Sequence, residues 1–592
     1  MAKLNLGLAL ATTDWSPVFE AVSVEQKAKA FYSQTMTLVD DHLPIKASLE
    51  NPRQWWSFVN RELGRSQERA KSITIEGKAE HEVAEALNQH FSTAWCPGQD
   101  LYVFPLQRPD KSVELCTIGE TKALLKGINP SKASGPDNLP TWMLKHYAED
   151  FAPVITHLFN TSYEQGIIPS VWKAANVVPI PKFKGATKPS DMRPVSLLPV
   201  LAKLLERCVL KILLPSITPV ITNQYAYLKG SSTVIAVIRM VHTWLTALDS
   251  RDNIAVQTLF ADMSKAFDRV NHAILLQRVN DVLASPRMVA WLHNYLQCRF
   301  QRVSANSNLS SWRELTSGVP QGGVLSPYLF LLFMSSRATV YRDTLDVGYA
   351  DDVGLSRPVT LAKLSTDKTM IEEASQLDDW ADHNDMLLNG KKSQQLLICF
   401  SRNIPVPPPL SLGGELVPVT SVAKGLGFIF DNRLSWRDHV RAMVSKASSR
   451  LHYLRLLTKQ GMSVHDLIQV YLSLIRPILE YGHVLLVGCS EEQAASMERV
   501  QRRALRIISC GGRRSVPELP SLKERREAAA VSLFKAMLHP EHPLHDLVPA
   551  QRLSATGRTL RNSQHISVPF ARTKRLKQSF VHCAVRLYNN SA

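Results

Sequence analysis

The chain has 592 residues, 45% of them hydrophobic and 20% charged, which is typical of a folded protein long enough for several domains. Its formal net charge of +17 and isoelectric point near 9.5 predict a polyanionic partner. There is no apolar run of about 18 residues and no signal-peptide pattern, which argues against a membrane partner and favours nucleic acid. The eight cysteines are scattered without a C-x-x-C pair, which argues against a disulfide framework and a zinc knuckle.

The N-terminal part of the chain predicts helices. Between residues 53 and 95, large apolar residues recur at helical spacing, and we interpret the tryptophans among them as core residues rather than platforms for nucleobases. A turn-rich, lysine-bearing loop over residues 131–137 precedes another predicted helix over residues 141–147. The helical pattern consists of Trp55, Trp56, Val59, Leu63, Val83, Leu87, Phe91 and Trp95.

Two basic residues accompany the first predicted strand. Residues 171–180 show the alternating pattern of a strand. Lys182 follows in a P-K-F-K-G loop, which fits either a phosphate-binding loop or a solvated surface loop. Arg193 lies directly before an apolar run, which fits a solvated loop less well. A helix is predicted over residues 201–214.

The first acidic motif follows a predicted strand. Residues 254–259 are β-like, so Asp262 in the run F-A-D-M-S-K-A-F-D falls at a strand end. Further on, the loop S-G-V-P-Q-G-G-V-L-S-P permits close backbone approach to a ligand and carries the Gln321 amide, and a helix is predicted over residues 328–334. Alone, this loop fits a helix-capping turn. Its position between two acidic motifs favours a nucleotide-facing loop.

The second acidic motif is Y-A-D-D, which contains Asp351 and Asp352 between hydrophobic flanks. This pattern predicts two short strands joined by a tight turn. Adjacent carboxylates on such a turn suit Mg²⁺, which prefers hard oxygen ligands together with substrate phosphates. With Asp262 on a neighbouring strand, the two motifs supply the carboxylates that a two-metal phosphoryl-transfer site requires.

The C-terminal third predicts helices and a basic end. Proline-rich residues 404–411 predict a loop between strands, and residues 436–510 read as several amphipathic helices. After Asp546 the chain is rich in lysine and arginine without acidic residues, which fits either a solvated tail or an electrostatic footprint for phosphates, the second being favoured.

In this order, the motifs resemble those of the reverse transcriptases of non-LTR retrotransposons (LINE, jockey/CR1-like). F-A-D-M-S-K-A-F-D, S-G-V-P-Q-G-G-V-L-S-P and Y-A-D-D are similar to palm motifs A, B and C, and L-N-G-K-K-S is similar to motif D. G-L-G-F with L-S-W resembles the primer-grip region. K-A-S-G-P-D, D-M-R-P-V-S-L-L and the segment beginning N-Q-Y resemble finger motifs. The resemblance covers roughly residues 50–590.

The resemblance implies a role for each matching residue. Asp262, Asp351 and Asp352 would bind the catalytic metals, two Mg²⁺ ions with Mn²⁺ as an alternative. Lys392 would protonate the leaving pyrophosphate, with Lys391 as the rival. Phe267 would be the steric gate that selects dNTPs. Gln321 would contact the incoming nucleotide or the template. Lys182 and Arg193 would contact triphosphate oxygens.

The resemblance also implies an α+β right-hand polymerase that copies an RNA template from a DNA primer or target end with dNTPs. The expected divisions are an N-terminal helical extension (1–111), fingers (112–240), a palm with an antiparallel sheet (241–432), and a helical thumb with a basic tail (433–592). The expected compartment is the nucleus or cytoplasm.

The family pattern is not fully matched. Its members usually carry an endonuclease, for which residues 1–50 leave no room, so we expect a truncated copy that takes its primer end from an existing nick or a separate nuclease. Two alternatives stay open. One is an inactive copy that only binds nucleic acid, and the other is an RNA polymerase of related palm fold, against which Phe267 argues.

Overall fold

The structure is a computed structural model that describes residues 2–42, 73–96, 114–283, 285–551 and 565–591. The predicted helix bearing Trp55, Trp56, Val59 and Leu63 lies outside these ranges. The predicted helices near residues 141, 201 and 328 and the proline-rich loop are confirmed. The α-helices are α1 (Ala2–Thr12), α2 (Ser16–Glu20), α3 (Val24–His42), α4 (Val83–Ser92), α5 (Ile118–Lys126), α6 (Thr141–His146), α7 (Ala148–Gln165), α8 (Val200–Ile217), α9 (Thr233–Leu248), α10 (Ala266–Arg269), α11 (His272–Val282), α12 (Pro286–Leu296), α13 (Ser326–Met334), α14 (Thr369–His383), α15 (Arg437–Lys459), α16 (Val464–Val470), α17 (Arg476–Glu480), α18 (Glu491–Ile508), α19 (Leu522–Met537), α20 (Lys574–Lys577) and α21 (Phe580–Ser591).

Within the described ranges, the strands form two larger sheets and two short hairpins. Short 3-10 turns cover Glu80–Glu82, Ser170–Trp172, Pro189–Asp191, His483–Leu486 and His545–Leu547, and Tyr471–Ile475 is π-helical. The strands are β1 (Ala174–Pro181), β2 (Met192–Leu197), β3 (Ile254–Ala261), β4 (Arg299–Ala305), β5 (Asn308–Leu309), β6 (Arg313–Leu315), β7 (Leu345–Tyr349), β8 (Asp352–Thr360), β9 (Gln394–Ile398), β10 (Ser411–Leu412), β11 (Glu415–Leu416), β12 (Val419–Thr420), β13 (Val422–Gly425) and β14 (Phe428–Asp431).

The central sheet has the strand order β12-β9-β3-β8-β7. Its β3–β8, β3–β9 and β7–β8 pairs are antiparallel, as predicted, and the edge pair β9–β12 is parallel. Strand β3 is buried along most of its length because helices cover both of its faces. Val256 on one face packs in a core with α9, and Leu259 on the other face packs in a core with α13.

A second sheet has the order β2-β1-β4-β5, with β6 also paired to β4. Strands β1 and β4 are parallel, whereas β1 and β2 form an antiparallel pair. One face packs against α4 through Leu87, Phe91, Val177 and Val303. Because β1 pairs with a strand from far along the chain, this sheet crosses the boundary at residue 240 that the sequence suggested.

The C-terminal helices form a separate core and then return to the central sheet. Helices α15 to α18 surround their own apolar cluster, which includes Leu451, Tyr471 and Val500. Helices α19 and α21 instead pack in the same core as α9, where Phe534 and Val585 are fully buried. The basic end of the chain is therefore folded over residues 565–591 and is not a solvated tail there, because its apolar residues complete that core.

The cysteines and the longest helices bear on disulfide bonding and on membrane-spanning length. All eight cysteines lie in the described ranges, and all are free thiols. Over the residues that the structure describes, no helix combines the length and the apolar character needed to cross a bilayer.

Candidate active site

The two acidic motifs meet at one end of the central sheet. Tyr349 pairs with Asp352, which leaves Ala350 and Asp351 as a two-residue turn between β7 and β8. On the other side, Ala261 at the end of β3 pairs with Val353 of β8. The next position of this register sets Asp262 opposite Asp352, and residues directly opposite in an antiparallel pair have neighbouring side chains. The structure thus brings Asp262, Asp351 and Asp352 together.

Desolvation raises the pKa of all three carboxyl groups, and repulsion by a neighbouring carboxylate adds to this at Asp351 and Asp352. Desolvation is the main cause at Asp262, where nearby Lys392 and Lys182 oppose it. At Asp351, desolvation and the Asp262 carboxylate raise the pKa, whereas Arg193 lowers it. Desolvation, followed by the charges of Asp351 and Asp262, raises the pKa of Asp352 to about 6. Three carboxylates that repel one another gain stability from a bound cation.

The donor set fits a divalent metal that completes its shell with other ligands. Among the described residues, no three His, Cys, Asp or Glu side chains converge closely enough to hold an ion by themselves. Mg²⁺ is usually held by one or two carboxylates, with water and substrate phosphates as its remaining ligands. The arrangement of Asp262, Asp351 and Asp352 therefore suits ions that bind together with a phosphate-bearing substrate.

Three cationic side chains surround the carboxylates. Lys182 follows β1 and its Nζ donates to the Ser190 carbonyl oxygen at 2.8 Å. Arg193 lies on β2 opposite Ile180 and is exposed. Lys392 is also exposed. Since each acts on the pKa of Asp262 or Asp351, all three side chains lie within electrostatic reach of the acidic cluster.

The segment that carries Lys392 is tied to the backbone of Asp262. The Asp262 N–H donates to Ser393 Oγ at 3.0 Å, and the Asn389 N–H donates to the Asp262 carbonyl at 2.9 Å. These bonds fix the spacing between Asp262 and Lys392. Lys391 points to another partner, because its Nζ forms an ion pair with Glu415 at 2.7 Å.

The loop of residues 317–327 packs against the residues that follow Asp262. The Gln321 side-chain amide donates to Asp268 Oδ1 at 2.9 Å, and the Gln321 carbonyl accepts from the Ser196 N–H at 2.9 Å. Gly318 has φ +85°, and a Cβ there would lie 2.7 Å from the Asp268 carbonyl oxygen, so only glycine fits. Half-buried Phe267 stacks on Phe330 with ring centroids 4.2 Å apart.

Asp268 anchors this loop, and the titration of its carboxyl group makes the stability of the fold depend on pH. Burial raises the pKa of Asp268 to about 6. Because this value exceeds that of the unfolded chain, stability is lost as the pH rises from about 4 through about 6. Asp268→Asn retains an acceptor for Gln321, so we expect it to raise the melting temperature at pH 8, by an amount equivalent to about 2 kcal/mol. The gain should be smaller at pH 5 in thermal-shift measurements, and an equal gain at both pH values would contradict this account.

Sequence reasoning missed two residues in this part of the fold. Glu206, on α8, is buried and its Oε2 accepts from the Leu325 N–H at 2.9 Å, which holds the start of α13. A single glutamate on an otherwise apolar helix face was the available signal. Tyr227 has φ +58°, and its pKa is raised by desolvation and by nearby Asp351. No local pattern in the sequence indicated that position.

An acidic cluster at the end of a central, mainly antiparallel sheet, with a second sheet beside it and helices behind, is the arrangement of the right-hand polymerase fold. Residues 180–454 match the model of the reverse transcriptase (RNA-dependent DNA polymerase) family. Over these residues the chain matches a reverse transcriptase domain, and it is similar to polymerases of non-LTR retrotransposons.

Three relatives from Drosophila melanogaster illustrate this relationship. The chain is 27% identical to the probable RNA-directed DNA polymerase from transposon X-element over 68% of its own length and 45% of the relative's. It is 28% identical to the RNA-directed DNA polymerase from mobile element jockey, with 66% and 44% covered. The corresponding values for the probable RNA-directed DNA polymerase from transposon BS are 28%, 73% and 50%.

The chain spans about half the length of the curated relatives that it matches. A reverse transcriptase domain implies nucleic acid substrates, and enzymes of this family generally use divalent metal ions. Both statements describe reverse transcriptases in general.

Proposed function

We propose that the chain is an RNA-directed DNA polymerase that transfers a nucleotide from a dNTP to a DNA 3′-hydroxyl on an RNA template. The observation that carries the proposal is the meeting of Asp262, Asp351 and Asp352 at one strand end, within electrostatic reach of Lys182, Arg193 and Lys392. The three relatives are named as RNA-directed DNA polymerases, two of them as probable ones, and this supports the same reaction.

Phosphoryl transfer needs positioning and charge neutralisation rather than a protein nucleophile. Asp262, Asp351 and Asp352 would hold two Mg²⁺ ions, which activate the attacking hydroxyl and neutralise the leaving pyrophosphate. Arg193 would bind triphosphate oxygens through its planar guanidinium, and Lys182 would bind them as a point charge. Lys392 would donate a proton to the departing pyrophosphate from its place beside Asp262.

The proposed divisions are fingers over residues 112–240, a palm over 241–432 and a thumb over 433–592. The pairing of β1 with β4 adds strands β4 to β6 to the finger sheet. The packing of α21 against α9 adds the end of the chain to the palm.

Phe267 is the proposed steric gate. Phe267 follows Asp262 by five residues in the chain, and the stack on Phe330 holds its ring on the segment that leaves the acidic cluster. We expect Phe267→Ala to reduce the preference for dNTP over rNTP by about 10-fold to 100-fold, because the space needed for a 2′-hydroxyl becomes available. The measurement is kcat/KM for dTTP and for UTP on the same template.

Phe330→Leu is the matched control for the gate, since it removes the stacking partner and leaves the Phe267 ring. This control should keep more of the sugar preference than Phe267→Ala does, because the ring that would exclude a 2′-hydroxyl is still present although it is held less firmly. Unchanged selectivity in Phe267→Ala would remove the gate assignment and leave Phe267 as a core residue.

Primer extension on poly(rA)/oligo(dT) with dTTP and either Mg²⁺ or Mn²⁺ tests the proposed function. The purified chain should extend the primer with at least one of these ions. If it binds the duplex but extends no primer with either ion, the proposal fails, and the chain is then a nucleic-acid-binding protein without polymerase activity.

A further inference from the structure

The outer edge of strand β7 is covered by a short segment from the loop between α8 and α9. Strand β7 ends the central sheet, so its free backbone groups would otherwise face solvent. The Gly348 N–H donates to the Asn223 carbonyl at 2.7 Å, and the Tyr225 N–H donates to the Gly348 carbonyl at 2.9 Å. Gln224 thus lies beside Gly348 as a parallel bridge.

The Gln224 side chain extends this pairing into the acidic turn. Its Nε2 donates to the Ala350 carbonyl at 3.2 Å, and its Oε1 accepts from the Ala350 N–H at 3.1 Å. The side chain is only 6% exposed, so water cannot readily replace either bond. One amide therefore holds both backbone polar groups of the residue that precedes Asp351.

Two backbone features make this contact specific. Ala350 has φ 57°, a left-handed conformation that residues other than glycine rarely adopt and that needs support from its surroundings. Gly348 leaves the space in which the amide lies, because a Cβ there would be 2.5 Å from Gln224 Nε2. Gly348 thus makes room for the Gln224 amide, and the amide supports the left-handed backbone of Ala350.

We propose that Gln224 is a positioning residue for the polymerase reaction, which fixes the peptide groups on both sides of Ala350 and thereby the direction of the Asp351 carboxylate. Gln224 does not touch substrate in this role. It acts through Asp351, so the inference rests on the proposed function. The pairing of its amide with Ala350 can be tested without any activity.

The main test is Gln224→Met, which keeps the length of the side chain and removes both hydrogen bonds. We expect kcat for primer extension to fall about 10-fold to 100-fold, with KM for dTTP and the affinity for poly(rA)/oligo(dT) within about 3-fold of wild type, because the template and primer contacts are unchanged. Hydrogen exchange of the Ala350 N–H should become at least about 10-fold faster, while exchange in β3 stays the same.

Asn589→Leu is the matched control. The Asn589 amide holds Ile566 in the same reciprocal way, accepting from its N–H at 3.0 Å and donating to its carbonyl at 2.8 Å, but on α21 and away from the acidic turn. This control should lose stability and keep kcat. If Gln224→Met lowers kcat no more than Asn589→Leu does at an equal loss of melting temperature, Gln224 is structural only and the proposal is overturned.

Gln224→Glu covers the case in which the methionine variant does not fold. The glutamate keeps an acceptor for the Ala350 N–H and loses the donor to the Ala350 carbonyl. We expect a kcat below that of wild type, and wild-type kcat with unchanged Ala350 exchange would overturn the proposal.

If the wild-type chain extends no primer, the proposed function fails instead. The exchange rate of Ala350 in wild type and variants still decides whether Gln224 holds the turn.

Discussion

Asp262→Asn and Asp351→Asn should each abolish primer extension while leaving RNA binding within a few-fold of wild type. Each variant keeps the size of the side chain and removes one negative charge from the carboxylate cluster, within which repulsion raises the pKa of Asp351 and Asp352. Loss of one metal-binding carboxylate should lower kcat by at least about 10³-fold, equivalent to about 4 kcal/mol of transition-state stabilisation. Binding should persist because lysine and arginine supply the phosphate contacts.

Asp252→Asn is the control for this pair. Asp252 is exposed and precedes the opposite end of the same strand β3, so its loss removes a similar charge far from the cluster. Extension rates and filter-binding affinities should match those of wild type. Near-normal extension by Asp262→Asn or Asp351→Asn would show that the active site lies elsewhere.

Lys392→Ala should lower kcat by about 10²-fold, whereas Lys391→Ala should have little effect. Lys392 acts on the pKa of Asp262, while Lys391 is engaged with Glu415, so neighbouring lysines of one loop have different surroundings. A general acid in this position assists departure of the pyrophosphate. Single-turnover extension rates with saturating dTTP measure the effect on the chemical step.

Lys392→Arg separates proton donation from charge. Arginine keeps the positive charge but does not give up a proton in the physiological range, so this variant should remain slow. Full recovery with arginine would show that Lys392 contributes charge alone. A larger loss in Lys391→Ala than in Lys392→Ala would reverse the assignment of the two lysines.

The elements that carry the carboxylates could be predicted because their patterns are local. An apolar run before Asp262 and the hydrophobic flanks of Asp351–Asp352 indicate a buried strand and a hairpin, and both are present with the expected antiparallel pairing. The helices after residue 436 were likewise predicted from apolar residues at helical spacing, and helices are present there. In these segments, burial of one continuous face decides the structure.

The features that the sequence did not indicate are contacts between segments far apart in the chain. Gln224 meets Ala350 across 126 residues, and nothing near Gln224 in the chain points to that partner. The spacing before Ser393 favours Lys392 over Lys391. The ion pair of Lys391 with Glu415, however, joins two separate segments of the chain and had no local signal. Basic residues near the end of the chain obscured the apolar pattern of Phe580, Val581, Ala584 and Val585, which packs against α9.

The packing of α21 against α9 constrains when the core that α9 shares with the central sheet is completed. Helix α9 is synthesised early, but the residues that complete its core belong to the last helix of the described chain. At ribosomal speeds of about 5–20 residues per second, the apolar face of α9 waits for several hundred residues of further synthesis. A chain interrupted before Phe580 would therefore leave this face exposed, and such a product should be a substrate for chaperones and proteases even though every catalytic carboxylate is present.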